Sequence, residues 1–94
     1  MINLFKNVDK KLLDIGFIKV SENKFGVRYE RKNNEFNYTH RVDIIHKYSG
    51  KHILQSYDPE LFDMRHIGNT NVGLTAYELK LFYKKMEEIG LYSK

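Results

Sequence analysis

The sequence predicts an α+β domain: an N-terminal helix, an antiparallel meander of three to four strands and a C-terminal helix, with both helices on one face of the sheet. Three observations lead there. Apolar residues recur every three or four positions near both ends of the chain. In the middle they alternate with polar ones, and turn-forming residues separate the alternating runs. Ninety-four residues supply one hydrophobic core and no second, so residues 1–94 are expected to form a single domain.

Near the N-terminus, Ile2, Leu4, Phe5, Val8, Leu12, Leu13 and Ile15 repeat at helical spacing, with Lys6, Asp9, Lys10 and Asp14 between them. This pattern predicts an amphipathic helix from about Asn3 to Ile15, capped by Asn3 and ended by Gly16. The period then changes to two. Ile18 and Val20 flank Lys19, a polar turn spans Ser21 to Lys24, and Phe25, Val27 and Tyr29 alternate with Gly26, Arg28 and Glu30. Asn33-Asn34 reads as a two-residue hairpin turn, since asparagine tolerates positive φ. Folding there pairs Lys32 with Glu35, Tyr29 with Tyr38, Val27 with His40 and Phe25 with Val42.

The next strand, Tyr38 to Tyr48, puts Val42 and Ile44 on the same face. Ser49-Gly50 reads as a bulged turn, which sets Leu54 opposite Ile44, Ser56 opposite Val42 and His52 opposite His46. A two-residue loop would pair Ile45 with Leu54 and exchange the two faces. Asp58-Pro59-Glu60 predicts a helix start, with a short helix to Ile67, a stop at Gly68 and a loop to Gly73. Thr75-Ala76-Tyr77-Glu78 is a capping box flanked by the staple Leu74 and Leu79. The helix that follows has Leu79, Phe82, Tyr83, Met86 and Ile89 as its apolar stripe and Gly90 as its end.

Composition narrows the chemistry. There is no cysteine, which removes disulfides, thiolate metal sites and cysteine nucleophiles and fits a reducing compartment. Charged residues interrupt the N-terminal helix where a secretory signal would be unbroken, and no run approaches the roughly 18 apolar residues of a membrane span. A cytoplasmic location is expected. The 16 basic and 12 acidic residues give a net charge of +4. Twelve of the basic residues are lysine, the common solubilising charge, and four are arginine, the better phosphate fork.

No motif names a reaction, and no catalytic residue, metal or cofactor is expected. His40, Asp43 and His46 have suggestive spacing, but on a strand Asp43 points away from both histidines. His46 and His52 become cross-strand neighbours in the bulged hairpin, yet Asp58 and Asp63 lie beyond the strand's other end and no third ligand is placed. A metal-dependent hydrolase using these two histidines is the least favoured reading. Glu30-Arg31-Lys32 matches the Glu-x-Lys of nuclease cores, but Asn37 is the facing residue where an acid is needed. Glu78-x-Lys80 matches too, with Glu78 already committed to the capping box. Ser21, Ser49 and Ser56 lack a nucleophile elbow, and Gly68 and Gly73 lack the Lys-Ser/Thr of a phosphate loop.

Function is therefore expected at a surface. The sheet face away from the helices should carry Lys19, Arg28, Arg41, Lys47 and Tyr57, offering charge and a stacking ring to nucleic acid, although Glu30 and Asp43 share that face and reduce its field. On the same face Ile45 and Ile53 meet, with Tyr57 diagonal to them. Two facing isoleucines on a polar face need a cover, either the Pro59–Gly73 segment or a partner. The leading expectation is a non-enzymatic protein acting through protein–protein contact, as a homodimer or with another protein, through Ile45, Ile53, Tyr57, Arg28, Arg41 and Lys47. A nucleic-acid-binding accessory protein is the alternative. In length, Lys/Asn-rich composition and helix–meander–helix order, the whole chain resembles small proteins of phages and mobile elements in low-GC Gram-positive bacteria. Some phage inhibitors of host proteins share this layout, which implies a binding role.

Overall fold

A computed structural model describes residues 6–35, 37–47, 51–60 and 71–93, the side chains of 6, 7 and 90–93 excepted. The elements run α1 (Lys6–Asp14), β1 (Ile18–Asn23), β2 (Gly26–Asn33), β3 (Tyr38–His46), β4 (His52–Tyr57) and α2 (Ala76–Ser93). The four strands form one antiparallel meander in the order β1-β2-β3-β4, so the α+β expectation holds. Among the described residues, no helix is long and apolar enough to cross a membrane.

Val8 and Leu12 of α1 and Leu81, Phe82 and Ile89 of α2 close over Val27, Tyr29, Val42 and Ile44 on one face of the sheet, with Phe17 between them. Phe82 meets both Phe17 and Tyr29 edge-on, at centroid distances of 5.2 and 5.6 Å. Such pairs add to the burial energy of the rings themselves. Leu13 lies exposed on the outer side of α1, and Tyr83 is 56% exposed on α2. Both had been expected in the apolar stripes. In α2 the buried line passes through Glu78, Leu81, Phe82, Lys85 and Ile89 instead, so Leu81 replaces Tyr83. The helix also continues through Gly90 to Ser93.

Gly16 ends α1 as expected, at φ +97°. The Gly16 N–H bonds to the Leu13 carbonyl and the Phe17 N–H to the Leu12 carbonyl, the paired bonds of a Schellman cap. A side chain at Gly16 would also press on Arg31, whose Cδ lies 3.1 Å from the position of a Cβ. Arg31 uses that passage. Its guanidinium stacks on Phe17 at 4.1 Å, donates to the Ile15 carbonyl and forms an ion pair with Glu78 at 2.5 Å. Glu78 in turn completes the capping box: Thr75 N–H donates to its carboxylate at 2.8 Å, and Glu78 N–H donates to Thr75 Oγ1 at 3.1 Å. One arginine thus joins the end of α1, strand β2 and the start of α2.

The β3–β4 register is the expected one, with Ile44↔Leu54, Val42↔Ser56 and His46↔His52. The β2–β3 register is not. Asn33 pairs with Tyr38, Tyr29 with Val42 and Val27 with Ile44, so the loop has four residues, 34–37, with Asn37 at φ 52°. Burying Val27 against Ile44 outweighs the charge match that a turn at Asn33-Asn34 would give. The slip is even, so β2 and β3 keep their faces and Val27, Tyr29, Val42 and Ile44 stay in the core. The first hairpin differs as well. Strand β1 extends to Asn23, Lys24 and Phe25 form the turn, and Phe25 lies 65% exposed instead of in the core. Asn23 Oδ1 accepts the Phe25 N–H at 2.8 Å, which fixes that turn.

Strand β1 also reverses its expected alternation. A bulge between Lys19 and Ser21 places Lys19 opposite Tyr29 on the helix-covered side, while Ile18 pairs with Glu30 on the outer side. Asp9 and Glu22 hold Lys19 there, at 3.2 and 2.8 Å. Beside them Lys85, only 3% exposed, sets its ammonium 3.5 Å from Asp9, 3.6 Å from Glu22 and 3.4 Å from Glu88. The Tyr29 hydroxyl donates to Asp9. Burial would raise the Asp9 pKa, but that hydrogen bond and the Lys85 charge outweigh it and hold the carboxyl below its ordinary range.

The expected Asn3 cap, the Ser49-Gly50 turn and most of the helix from Asp58 to Ile67 lie outside the described residues. Of that helix, Pro59 and Glu60 take helical backbone, and Asp58 accepts the Glu60 N–H at 2.9 Å.

Candidate interaction face

Alternation along the strands leaves three cross-strand rows on the face away from the helices. Ile18, Glu30, Arg41 and Tyr57 form one; Ser21, Arg28, Asp43 and Gln55 the next; Asn23, Gly26, Ile45 and Ile53 the third. Five of the six expected binding residues meet here: Ile45, Ile53, Tyr57, Arg28 and Arg41. Lys47 follows β3 directly and is exposed. Lys19, expected on this face for its charge, is on the other.

The middle of the face is a closed polar ladder. Asp43 accepts two bonds from Arg28, at 2.8 and 3.3 Å, and a third from the Tyr57 hydroxyl at 2.7 Å. Asp43 is thereby buried, where a solvated carboxylate had been expected. Arg41 donates to Glu30 at 2.7 Å and lies over the Tyr57 ring at 5.9 Å. Burial, followed by the bond to Asp43, raises the Tyr57 pKa and keeps the phenol a donor. Both arginines are therefore already neutralised by carboxylates, and Tyr57 is committed to the ladder. Glu30, read as the acid of a nuclease motif, faces Arg41 and not Asn37.

The third row is different. Gly26 has no side chain, and a Cβ built on it would meet the Ile44 carbonyl oxygen at 2.1 Å, so only glycine fits this close approach. A shallow cleft of about 280 Å³ lies beside it in the sheet surface. Phe25 and Ile45 form its apolar walls, Ser21 and Asn23 its strand edge, and the Arg28–Asp43 pair its polar end. Ile53 continues the apolar surface beside Ile45. Lysines rim this end: Lys24 sets its ammonium 5.1 Å from the Phe25 ring centroid, and Lys47 and Lys51 are exposed. Phe25 and Gly26 were missed from sequence because alternation assigned Phe25 to the core. The Asn-Lys-Phe-Gly string was the available signal, since glycine in a strand often marks the close approach of another backbone.

Two histidine arrangements have defined chemistry. His40 is buried, and burial together with the Arg31 charge holds its pKa below 6.5. Ser56 Oγ donates to the Val72 carbonyl at 2.7 Å, so it accepts the His40 Nε2–H at 2.5 Å, while His40 Nδ1 receives Arg31 at 3.3 Å. In this direction the ring cannot take the serine proton, so the pair ties β3 and β4 to the strand-like segment at Asn71–Val72 and does not activate a nucleophile. His46 and His52 are brought together as expected, with ring centroids 4.9 Å apart. Among the described residues, no three His, Asp or Glu side chains group around one point. No family model matches this chain, and no curated protein or solved structure is significantly similar to it.

Proposed function

We propose that this chain is a non-enzymatic binding protein that acts through protein–protein contact at the face of its sheet away from the two helices. The cleft over Gly26 carries the reading, because it sets an exposed aromatic and two aliphatic side chains beside a rim of lysines. The matching partner presents an apolar side chain flanked by acidic groups. The same chemistry favours another protein over a second copy: a chain of net charge +4 would bring lysine rims together on self-association. A cytoplasmic setting and a phage or mobile-element origin belong to this proposal. The nucleic-acid alternative is weakened by the ladder, since Arg28 and Arg41 would each have to leave a carboxylate to reach a phosphate.

Capture from extracts of the source organism, comparing the wild-type chain with Phe25→Ser and Ile45→Lys, tests the proposal. A protein retained by the wild type and lost with both variants, at unchanged melting temperature, is the expected result. Equal capture by all three chains, or none, overturns it. Sedimentation showing a wild-type dimer that Ile45→Lys dissociates would replace the acidic partner with a second copy. Binding to generic DNA or RNA that weakens steeply with salt would restore the alternative.

A further inference from the structure

On the helix-covered side of the sheet, beyond the Ile44–Leu54 pair, His46 and His52 stand opposite one another. Their rings are tilted by 44°. The Nε2 atom of each is buried and has no hydrogen-bond partner. Buried ring nitrogens ordinarily find one, so two adjacent exceptions call for an explanation. The other nitrogen of His46 supplies part of it: Nδ1 lies 3.2 Å from the Lys24 carbonyl oxygen. A carbonyl only accepts, so Nδ1 carries a proton, and in the neutral ring the lone pair lies on Nε2. A backbone carbonyl on the far nitrogen is also the usual support for a metal-bound histidine.

We propose that His46 and His52 form a two-imidazole site for a late first-row divalent cation, the class that includes zinc, nickel and copper. The spacing agrees. With a metal–nitrogen bond of about 2.0–2.1 Å and a tetrahedral angle, two imidazoles bound through Nε2 have centroids about 5 Å apart, against 4.9 Å here. Imidazole suits these metals better than calcium or magnesium, which prefer oxygen. No third His, Asp or Glu joins the pair among the described residues, so water must complete the coordination, and the groups that bury the two Nε2 atoms must shift to admit it. It lies on the opposite side of the sheet from the Phe25–Ile45 cleft, and its test is independent of the partner proposal.

Calorimetric titration of the full chain with zinc and nickel salts, paired with thermal melts, provides the test. One ion should bind per chain and raise the melting temperature. His46→Gln and His52→Gln should each weaken binding by at least about tenfold, the loss that removing even a supporting group can bring. The double variant should show no melting shift with metal. Equal binding by the wild type and the double variant, or no binding by the wild type, overturns the site. Nitrogen-15 spectra of the wild-type imidazoles give a second readout that does not depend on the variants folding. Metal should move Nε2 of His46 and His52 and leave His40 in place; a response centred on other histidines overturns the proposal.

Discussion

On the covered face, Arg31 reaches Glu78, the Ile15 carbonyl, His40 and the Phe17 ring. On the outer face, Arg41 reaches Glu30 and the Tyr57 ring. Both are arginine–carboxylate pairs with an aromatic beneath the guanidinium, and they differ in what they connect. Strands β2, β3 and β4, which carry Glu30, Arg41 and Tyr57, are already joined by backbone ladders. The end of α1 and the start of α2 share no ladder with β2, so Arg31 supplies a connection that the backbone does not. The structural weight of an ion pair here follows from this topology more than from its distance. The covered pair holds the layers together, while the outer pairs order the face away from the helices.

Arg31→Ala is the strongest test of this difference. It strips Glu78 of its cation while the carboxylate stays with its side chain 9% exposed, and it uncovers Phe17. Removing one partner of a buried ion pair costs about 3–5 kcal/mol, and Arg31 lies at the low end of that range because its side chain is 27% exposed. A urea melt should show a loss of about 3 kcal/mol with an unchanged slope. A loss below about 1 kcal/mol, the range of surface pairs, would erase the distinction between the faces.

Acid should unfold the molecule through groups on the covered side. Burial and the Arg31 charge lower the His40 pKa from 6.5, so between that value and its folded pKa the unfolded chain binds a proton that the fold refuses. Stability therefore starts to fall as pH drops through about 6.5. A second decline comes from carboxylates. Burial would raise Glu78, but the Thr75 N–H and Arg31 outweigh it, and the Lys19 hydrogen bond lowers Glu22. With Asp9, these groups contribute stability that is fully present above their unfolded values of 4.5 and 3.8 and lost as pH falls through their folded ones. Stability measured by urea melts from pH 7.5 to pH 3 should show both declines. In His40→Gln the upper one should shrink. A flat profile down to pH 5 in the wild type would show that His40 accepts a proton in the fold.

The comparison also shows why some parts of the molecule were legible in the sequence and others were not. The capping box, the Gly16 stop and the β3–β4 register rest on local signals that nothing contradicts. The β2–β3 register pitted a local signal, Asn33-Asn34 with opposite charges on either side, against a distant one, Val27 and Tyr29 finding Ile44 and Val42. Apolar burial prevailed, as it does whenever one face of a sheet is covered. Arg31 was invisible because its partners come from three separate stretches of chain, residues 15–17, 40 and 78, and periodicity carries no information about which of them meet. Lys85 and Glu78 fall in the buried line of α2 for the same reason: a hydrophobic stripe leaves no place for a charge whose partners lie on another element. At the candidate site, alternation placed Ile45, Ile53 and both arginines correctly. It could not show that the arginines were already paired, or that a cleft lies beside Gly26.

The smallest expected effect is the sharpest version of the contrast. A double-mutant cycle on Glu30→Ala and Arg41→Ala isolates the outer pair. The two side chains are 29% and 25% exposed, and their strands remain hydrogen-bonded in every variant, so a coupling energy of about 0.2–1 kcal/mol is expected. It should shrink further in high salt, because water reaches both partners. The equivalent cycle on Glu78 and Arg31 should give a larger coupling that salt affects less. An outer coupling equal to the covered one would mean that Glu30 and Arg41 brace the sheet, and that partner contact at this face must work around a rigid pair. A coupling near zero would mean that the pair is held loosely. In that case Arg41 could turn toward an incoming carboxylate at little cost, and the outer face would offer a partner both the apolar cleft and a movable cation.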